Sequence, residues 1–153
     1  MPRAKKNSNA TEVDILIGAL LRVPAQAIHR RIIHELNAAG FDELRLPHIP
    51  VLQYPGPDGV RPGTLADRAC MSKQAMNQLL GSMEDFGYIV RADSPDAGRT
   101  RIIRLTKRGR AAYSKIFSIL EQIEREWSSE LGEAQFSQLK TLLNRVWRSQ
   151  LVR

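Results

Sequence analysis

Leu65-Ala66-Asp67-Arg68-Ala69-Cys70-Met71-Ser72-Lys73-Gln74-Ala75-Met76-Asn77-Gln78-Leu79-Leu80 decides the fold of this chain. It reads as a short helix over 65–69, a tight break at Cys70-Met71-Ser72 and a second helix over 73–86. Leu65, Ala66, Ala69, Met71, Met76 and Leu79 are the residues that pack the two helices together, and Ala69 is small enough for a close crossing. Ser72 is placed to cap the second helix by accepting one of its free N–H groups, and Gly87 ends it. Ala75, Met76, Leu79, Leu80, Met83 and Phe86 recur at helical spacing as an apolar stripe. Gln74, Asn77 and Gln78 share the opposite face, with Ser72 and Lys73 at the helix start.

Downstream, Tyr88-Ile89-Val90-Arg91 and Arg101-Ile102-Ile103-Arg104-Leu105 read as two strands. Between them Asp93-Ser94-Pro95-Asp96-Ala97-Gly98 is rich in turn formers and marks a hairpin tip. Arg99, Arg101, Arg104, Lys107, Arg108 and Arg110 crowd this region with no acidic residue from 99 to 110. Charge gathered on one hairpin is a nucleic-acid footprint, whereas scattered charge is solvated surface. A helix held against another can enter a major groove, and a basic hairpin beside it can reach phosphates or the minor groove. Asn and Gln amides match the N6 and N7 of adenine, while Ser and Lys hold phosphates. A polar helix face alone is ordinary wet surface; its place between a helix-turn-helix break and a basic hairpin points to DNA. The candidate contacts are Ser72, Lys73, Gln74, Asn77, Gln78, Arg99 and Arg101.

Composition agrees. The chain has 153 residues, 42% hydrophobic and 25% charged, with a formal net charge of +7. Those values fit one globular domain with helical extensions and a polyanionic partner. One cysteine allows no internal disulfide and fits a reducing compartment. Residues 15–23 are apolar in part but interrupted by Gly18 and Arg22 and followed by Pro24, and no run approaches the roughly 20 apolar residues of a membrane span. A cytoplasmic protein without a membrane partner is expected.

Outward from the motif, residues 1–10 read as a flexible basic arm with Arg3, Lys5 and Lys6. Residues 11–39 read as a long helix with Leu16, Leu20, Val23, Ala27, Ile28, Ile32 and Leu36 on one face, which Pro24 should kink or split. Residues 46–54 read as a short helix tolerating Pro47 and Pro50 in its first turn, and residues 55–59 as a linker; Val60-Arg61 suggests a short strand. Thr106 opens a helix striped by Tyr113, Ile116, Phe117, Leu120, Ile123 and Trp127. Gly132 breaks it, and a last helix carries Phe136, Leu139, Leu142, Leu143, Val146, Trp147 and Leu151. These stripes exceed what one small domain covers. Trp127, Phe136, Trp147 and Leu151 therefore suggest a homodimer.

Catalytic and metal patterns do not emerge. His29 and His34 lie five apart on different helix faces, and with His48 they read as surface or half-buried side chains. Cys70 reads as a small packing residue. No Gly-rich phosphate loop, Gly-x-Ser-x-Gly or HExxH is present, so neither an enzyme nor a cofactor is expected.

The run Leu65-Ala66-Asp67-Arg68-Ala69, Met71-Ser72-Lys73-Gln74, Leu79, Met83-Glu84-Asp85-Phe86-Gly87-Tyr88-Ile89 and Arg91 resembles the winged helix of the MarR family of bacterial transcription regulators. So does Gly98-Arg99-Thr100-Arg101 followed by Leu105-Thr106 and Gly109, and the layout matches from about residue 12 to 151. The resemblance implies a mainly α fold with a small β-hairpin wing. A winged helix-turn-helix DNA-binding domain (41–105) would be flanked by dimerisation helices (11–40 and 106–153). It also implies a homodimer on double-stranded DNA, Arg99 as the wing arginine, and a small-molecule effector between the first helices and the winged domain, lined in one version by His29 or His48. Two departures stand out: Ala97 replaces the family's aspartate two residues before Arg99, and Cys70 replaces the glycine common at the turn. The reading is a regulator, a repressor relieved by a small molecule. The alternatives are a winged-helix protein-interaction module and a non-specific nucleic-acid-binding protein.

Overall fold

A computed structural model describes residues 15–53, 59–94, 101–150 and 152. The chain runs through α1 (Ile17–Ala38), a 3-10 turn (Leu46–His48), α2 (Ile49–Gln53), α3 (Pro62–Arg68), α4 (Lys73–Asp85), β1 (Ile89–Asp93), β2 (Arg101–Leu105), α5 (Lys107–Leu131) and α6 (Glu133–Trp147). The basic arm, residues 11–14, Tyr54 with the linker 55–58, the hairpin tip 95–98, Arg99 and Leu151 lie outside the described residues.

The architecture is the mainly α winged helix read from the sequence, with instructive differences. Pro24 does not split α1, which is one continuous helix. Proline removes a single N–H, so only the bond to the Leu20 carbonyl is lost, and the turns on either side carry the helix through. Pro47 and Pro50 are accommodated because the first turn at residues 46–48 is a 3-10 turn, with α2 starting at Ile49. β1 starts after Tyr88, not at it, because the Tyr88 N–H is taken by the Met83 carbonyl of α4 at 2.9 Å. Val60-Arg61 makes a single bridge rather than a strand: Val60 and Ile103 exchange N–H···O bonds of 3.0 and 2.7 Å.

The core forms where the stripes meet. Ile32 and Leu36 of α1, Leu52 of α2, Leu65 of α3, Met76, Leu80 and Met83 of α4, and Ile116 and Ile119 of α5 form one buried cluster with Tyr88, Ile89 and Ile103. Each such side chain contributes roughly 1.5–3 kcal/mol by leaving water. The stripes on the two ends do not join it. Leu16 is 76% exposed, and Ile17, Leu20, Leu21 and Val23 are exposed with it. α6 buries no residue at all, and Trp147 is 66% exposed.

Candidate nucleic-acid interface

The α3–α4 turn is made without glycine. Cys70 adopts φ +52°, the left-handed region that a side chain rarely enters. Two backbone bonds lock it there: Cys70 N–H to the Asp67 carbonyl (3.2 Å) and Met71 N–H to the Ala66 carbonyl (2.9 Å). The thiol is exposed, so Cys70 is a turn residue and not the packing residue its size suggests. Ser72 then turns extended, and its Oγ accepts the Ala75 N–H at 3.1 Å, the cap the sequence calls for.

From that cap, α4 divides its faces cleanly. Met76, Leu80 and Met83 are buried against the core, with Leu79 half-buried, while Lys73, Gln74, Asn77 and Gln78 are exposed. Spacings of three and four place the three amides side by side one turn into the helix. The structure thus brings Ser72, Lys73, Gln74, Asn77 and Gln78 together on the first two turns.

Beside them, β1 and β2 pair antiparallel from Ile89 with Leu105 to Asp93 with Arg101. Arg101 and Arg104 are exposed on β2. Arg91 Nε donates to Glu84 Oε2 at 3.2 Å, tying the wing to the end of α4.

Among the described basic residues from 101 to 110, two make contacts within the protein. Arg110 donates to the Leu105 carbonyl at 2.8 Å. Arg108 is held in a cluster that spacing gave no means of finding. Its Nη1 donates to the Phe86 carbonyl (3.0 Å), and its Nη2 donates to both carboxylate oxygens of Glu43 (2.8 and 2.9 Å). Its guanidinium lies 4.7 Å over the Tyr88 ring, and the Tyr88 hydroxyl donates to Glu43 Oε2 at 2.9 Å. Burial first, then that bond to a carboxylate, pushes the Tyr88 phenol up to about 12. Glu43 is held below the usual carboxylate range by its own backbone N–H, by the Tyr88 hydroxyl and by Arg108.

His48 is likewise more enclosed than its sequence context suggests. It is buried, its Nδ1 accepts the Arg45 N–H at 2.9 Å, and its ring meets Phe86 edge-on. Burial, followed by the Arg45 charge, lowers its pKa. His29 and His34 are exposed. Two apolar clefts between helices, among the described residues, are lined by no histidine. One, of about 230 Å³, lies between α2 and α5 and is lined by Gln53, Tyr113, Ile116, Phe117 and Leu120. The other, of about 120 Å³, lies between α1 and α5 and is lined by Ala27, Ile28, Arg31, Ile123 and Trp127. Arg31 bridges α1 to Glu126 of α5 and also binds Glu35, which in turn takes Lys115 at 3.2 Å. Among the described residues no three His, Cys, Asp or Glu side chains gather as a metal site, and no helix is long and apolar enough to cross a membrane.

A helix-turn-helix followed directly by a two-stranded hairpin defines a winged-helix protein. Residues 49–100 match the MarR family model. The HTH-type transcriptional repressor Rv2887 of Mycobacterium tuberculosis is 30% identical over 88 residues, 58% of this chain and 63% of the relative. Repressor Mb2911 of Mycobacterium bovis aligns to the same extent. The match thus spans less than two thirds of those relatives' length. Among solved structures, Rv2887 with salicylic acid superposes at TM-score 0.62, with 28% identity over 88% of this chain and 98% of that one. Rv2887 with DNA gives 0.63, with 26% identity over 87% and 98%. Reduced MarR from E. coli gives 0.71 at 20% identity over 86% and 96%, a likeness of fold. The chain is thus similar to MarR-family proteins, in sequence over residues 49–100 and in fold over most of its length.

Proposed function

We propose that this protein is a homodimeric, sequence-specific DNA-binding transcriptional regulator, a repressor released by a small molecule. The observation that carries the reading is the exposed amide face of Gln74, Asn77 and Gln78 on a capped helix whose other face is locked into the core. Its relatives support it: Rv2887 is named a repressor and has been solved with DNA. In this reading α4 lies in the major groove. Gln74, Asn77 and Gln78 meet base edges, each bidentate pair discriminating by about 1–3 kcal/mol. Ser72 uses its oxygen as the cap, which leaves its hydroxyl hydrogen for a phosphate; Lys73 meets another. Arg101 and Arg99 serve the wing, with Arg99 in the minor groove. Residues 41–105 bind DNA, while 11–40 and 106–153 join the subunits.

The effector site we favour is the cleft between α2 and α5, since α5 belongs to the dimerising part and α2 to the winged part. A ligand wedged there changes the separation of the two α4 helices, and a ligand preferring the wrong separation releases DNA. Rv2887 has also been solved with salicylic acid and p-aminosalicylic acid, which makes aromatic carboxylates the first compounds to try.

Selection on random duplexes, followed by affinity measured across salt, tests the reading. Binding falls steeply with salt because phosphate contacts release counterions. Arg99→Ala costs about tenfold in affinity, and Asn77→Ala relaxes base preference at one position. An affinity that stays flat between low and moderate salt overturns the DNA reading.

A further inference from the structure

We propose that Arg108 and Glu43 form a positioning pair that fixes the angle of α4 against α5 without touching DNA, an inference that rests on the DNA-binding reading above. Three segments distant in sequence meet at one guanidinium. The loop after α1 supplies Glu43, the end of α4 supplies the Phe86 carbonyl, and the first turn of α5 supplies Arg108 itself. Tyr88 closes the cluster from below, stacked under the guanidinium and bonded to the same carboxylate. Two neighbouring contacts leave no slack: Thr106 Oγ1 donates to the Gly87 carbonyl at 2.6 Å, and Gly109 packs on the Tyr88 carbonyl so closely that a Cβ would collide with it.

The site is placed where a small rotation has a long reach. The 13 residues of α4 span about 20 Å at 1.5 Å per residue. Its C-terminal end is tied here, and its reading face lies at the other end. A tilt of about 10° at the tie sweeps the first turn by about 3 Å, beyond the reach of an amide-to-base hydrogen bond. Only a planar fork serves all three partners, since one nitrogen takes the carbonyl, the other takes the carboxylate and the flat face takes the ring. With its charge matched by Glu43, Arg108 also contributes little to phosphate attraction, unlike Arg101 and Arg104.

The test uses Arg108→Gln, Glu43→Gln, the double variant and Arg108→Lys in the full chain. Two readouts are taken: affinity for a selected duplex across salt, and the Gln78–Glu121 distance distribution between spin labels. The labels are placed by Gln78→Cys and Glu121→Cys in a Cys70→Ser background, diluted with unlabelled protein so that only pairs within one chain report. The expected result is a loss of about tenfold in affinity for Arg108→Gln and for Glu43→Gln with an unchanged salt slope, and no further loss in the double. The distance distribution broadens in all three, while Arg108→Lys, which keeps the ion pair but not the fork, falls between. Three results overturn the proposal. The first is a wild-type distance distribution in every variant. The second is a salt slope reduced by about one phosphate in Arg108→Gln, the mark of a direct DNA contact. The third is tighter binding by Glu43→Gln, which removal of a negative charge alone would give. A wild-type chain that binds no duplex sinks the function proposed above, and the label distances still decide whether the pair sets the helix angle.

Discussion

His48 accepts the Arg45 N–H through Nδ1, so its proton sits on Nε2 and protonating the ring destroys the acceptor. Its folded pKa is lowered by burial and by Arg45. The unfolded chain therefore takes up this proton at higher pH than the folded one. The stability His48 contributes is complete above the unfolded histidine value and is lost as pH falls through that value toward the folded one. His48→Asn keeps an acceptor near the same place and does not titrate. Between about pH 7 and about pH 5 the thermal midpoint of wild type should fall further than that of His48→Asn; equal slopes would remove His48 from the acid response. Gly109 and Gly81 form a second contrast. A Cβ at Gly109 strikes the Tyr88 carbonyl, whereas one at Gly81 meets nothing. In urea unfolding, Gly109→Ala should cost about 1–3 kcal/mol and Gly81→Ala should add about 0.5–1 kcal/mol. At this scale sequence was a partial guide. The Ser72 cap follows from residue type at a helix start, but His48 and the partners of Arg108 are set by contacts between residues far apart in the chain.

At the scale of elements, local pattern carried most of the information. The α4 stripe, the amide face opposite it and the Thr106 start of α5 follow from helical period and capping chemistry, and the structure shows each one. Thr106 Oγ1 accepts the Gly109 N–H at 3.0 Å, as Ser72 does for Ala75. What escaped was decided by packing. The start of β1 moved because the end of α4 takes the Tyr88 N–H, and α1 passed through Pro24 because a long helix absorbs one missing bond. The pairing of Arg108 with Glu43 was hidden for a related reason: sequence proximity does not tell which arginines have protein partners. The cap carries its own prediction. Ser72→Ala leaves the Ala75 N–H without its acceptor and should lower stability by about 1 kcal/mol. Circular dichroism through the thermal transition measures it, and an unchanged midpoint would mean water replaces the hydroxyl at no cost.

For the molecule as a whole, much of the unburied apolar surface lies on two elements. It covers the first half of α1, with Leu16, Leu20 and Val23, and the length of α6, with Leu139, Leu142, Val146 and Trp147. Both are helices that flank the winged part, and neither face meets the main core. A monomer rarely leaves so many large apolar side chains in water, and a twofold pair covering them would also present two α4 helices to successive major grooves about one DNA turn apart. Leu20 and Leu142 are about half exposed in the single chain, so a glutamate at either should change monomer stability by no more than about 0.5 kcal/mol. Across a dimer interface the same carboxylate would be buried without a partner and the pair would separate. Sedimentation should therefore find wild type as a dimer, and Leu20→Glu and Leu142→Glu as folded monomers with wild-type helix content. Duplex affinity should fall by about 100-fold or more with them, since the second half-site is no longer held nearby by the first. Variants that stay dimeric would place the interface elsewhere, and folded monomers that bind DNA as tightly as wild type would break the link between pairing and recognition.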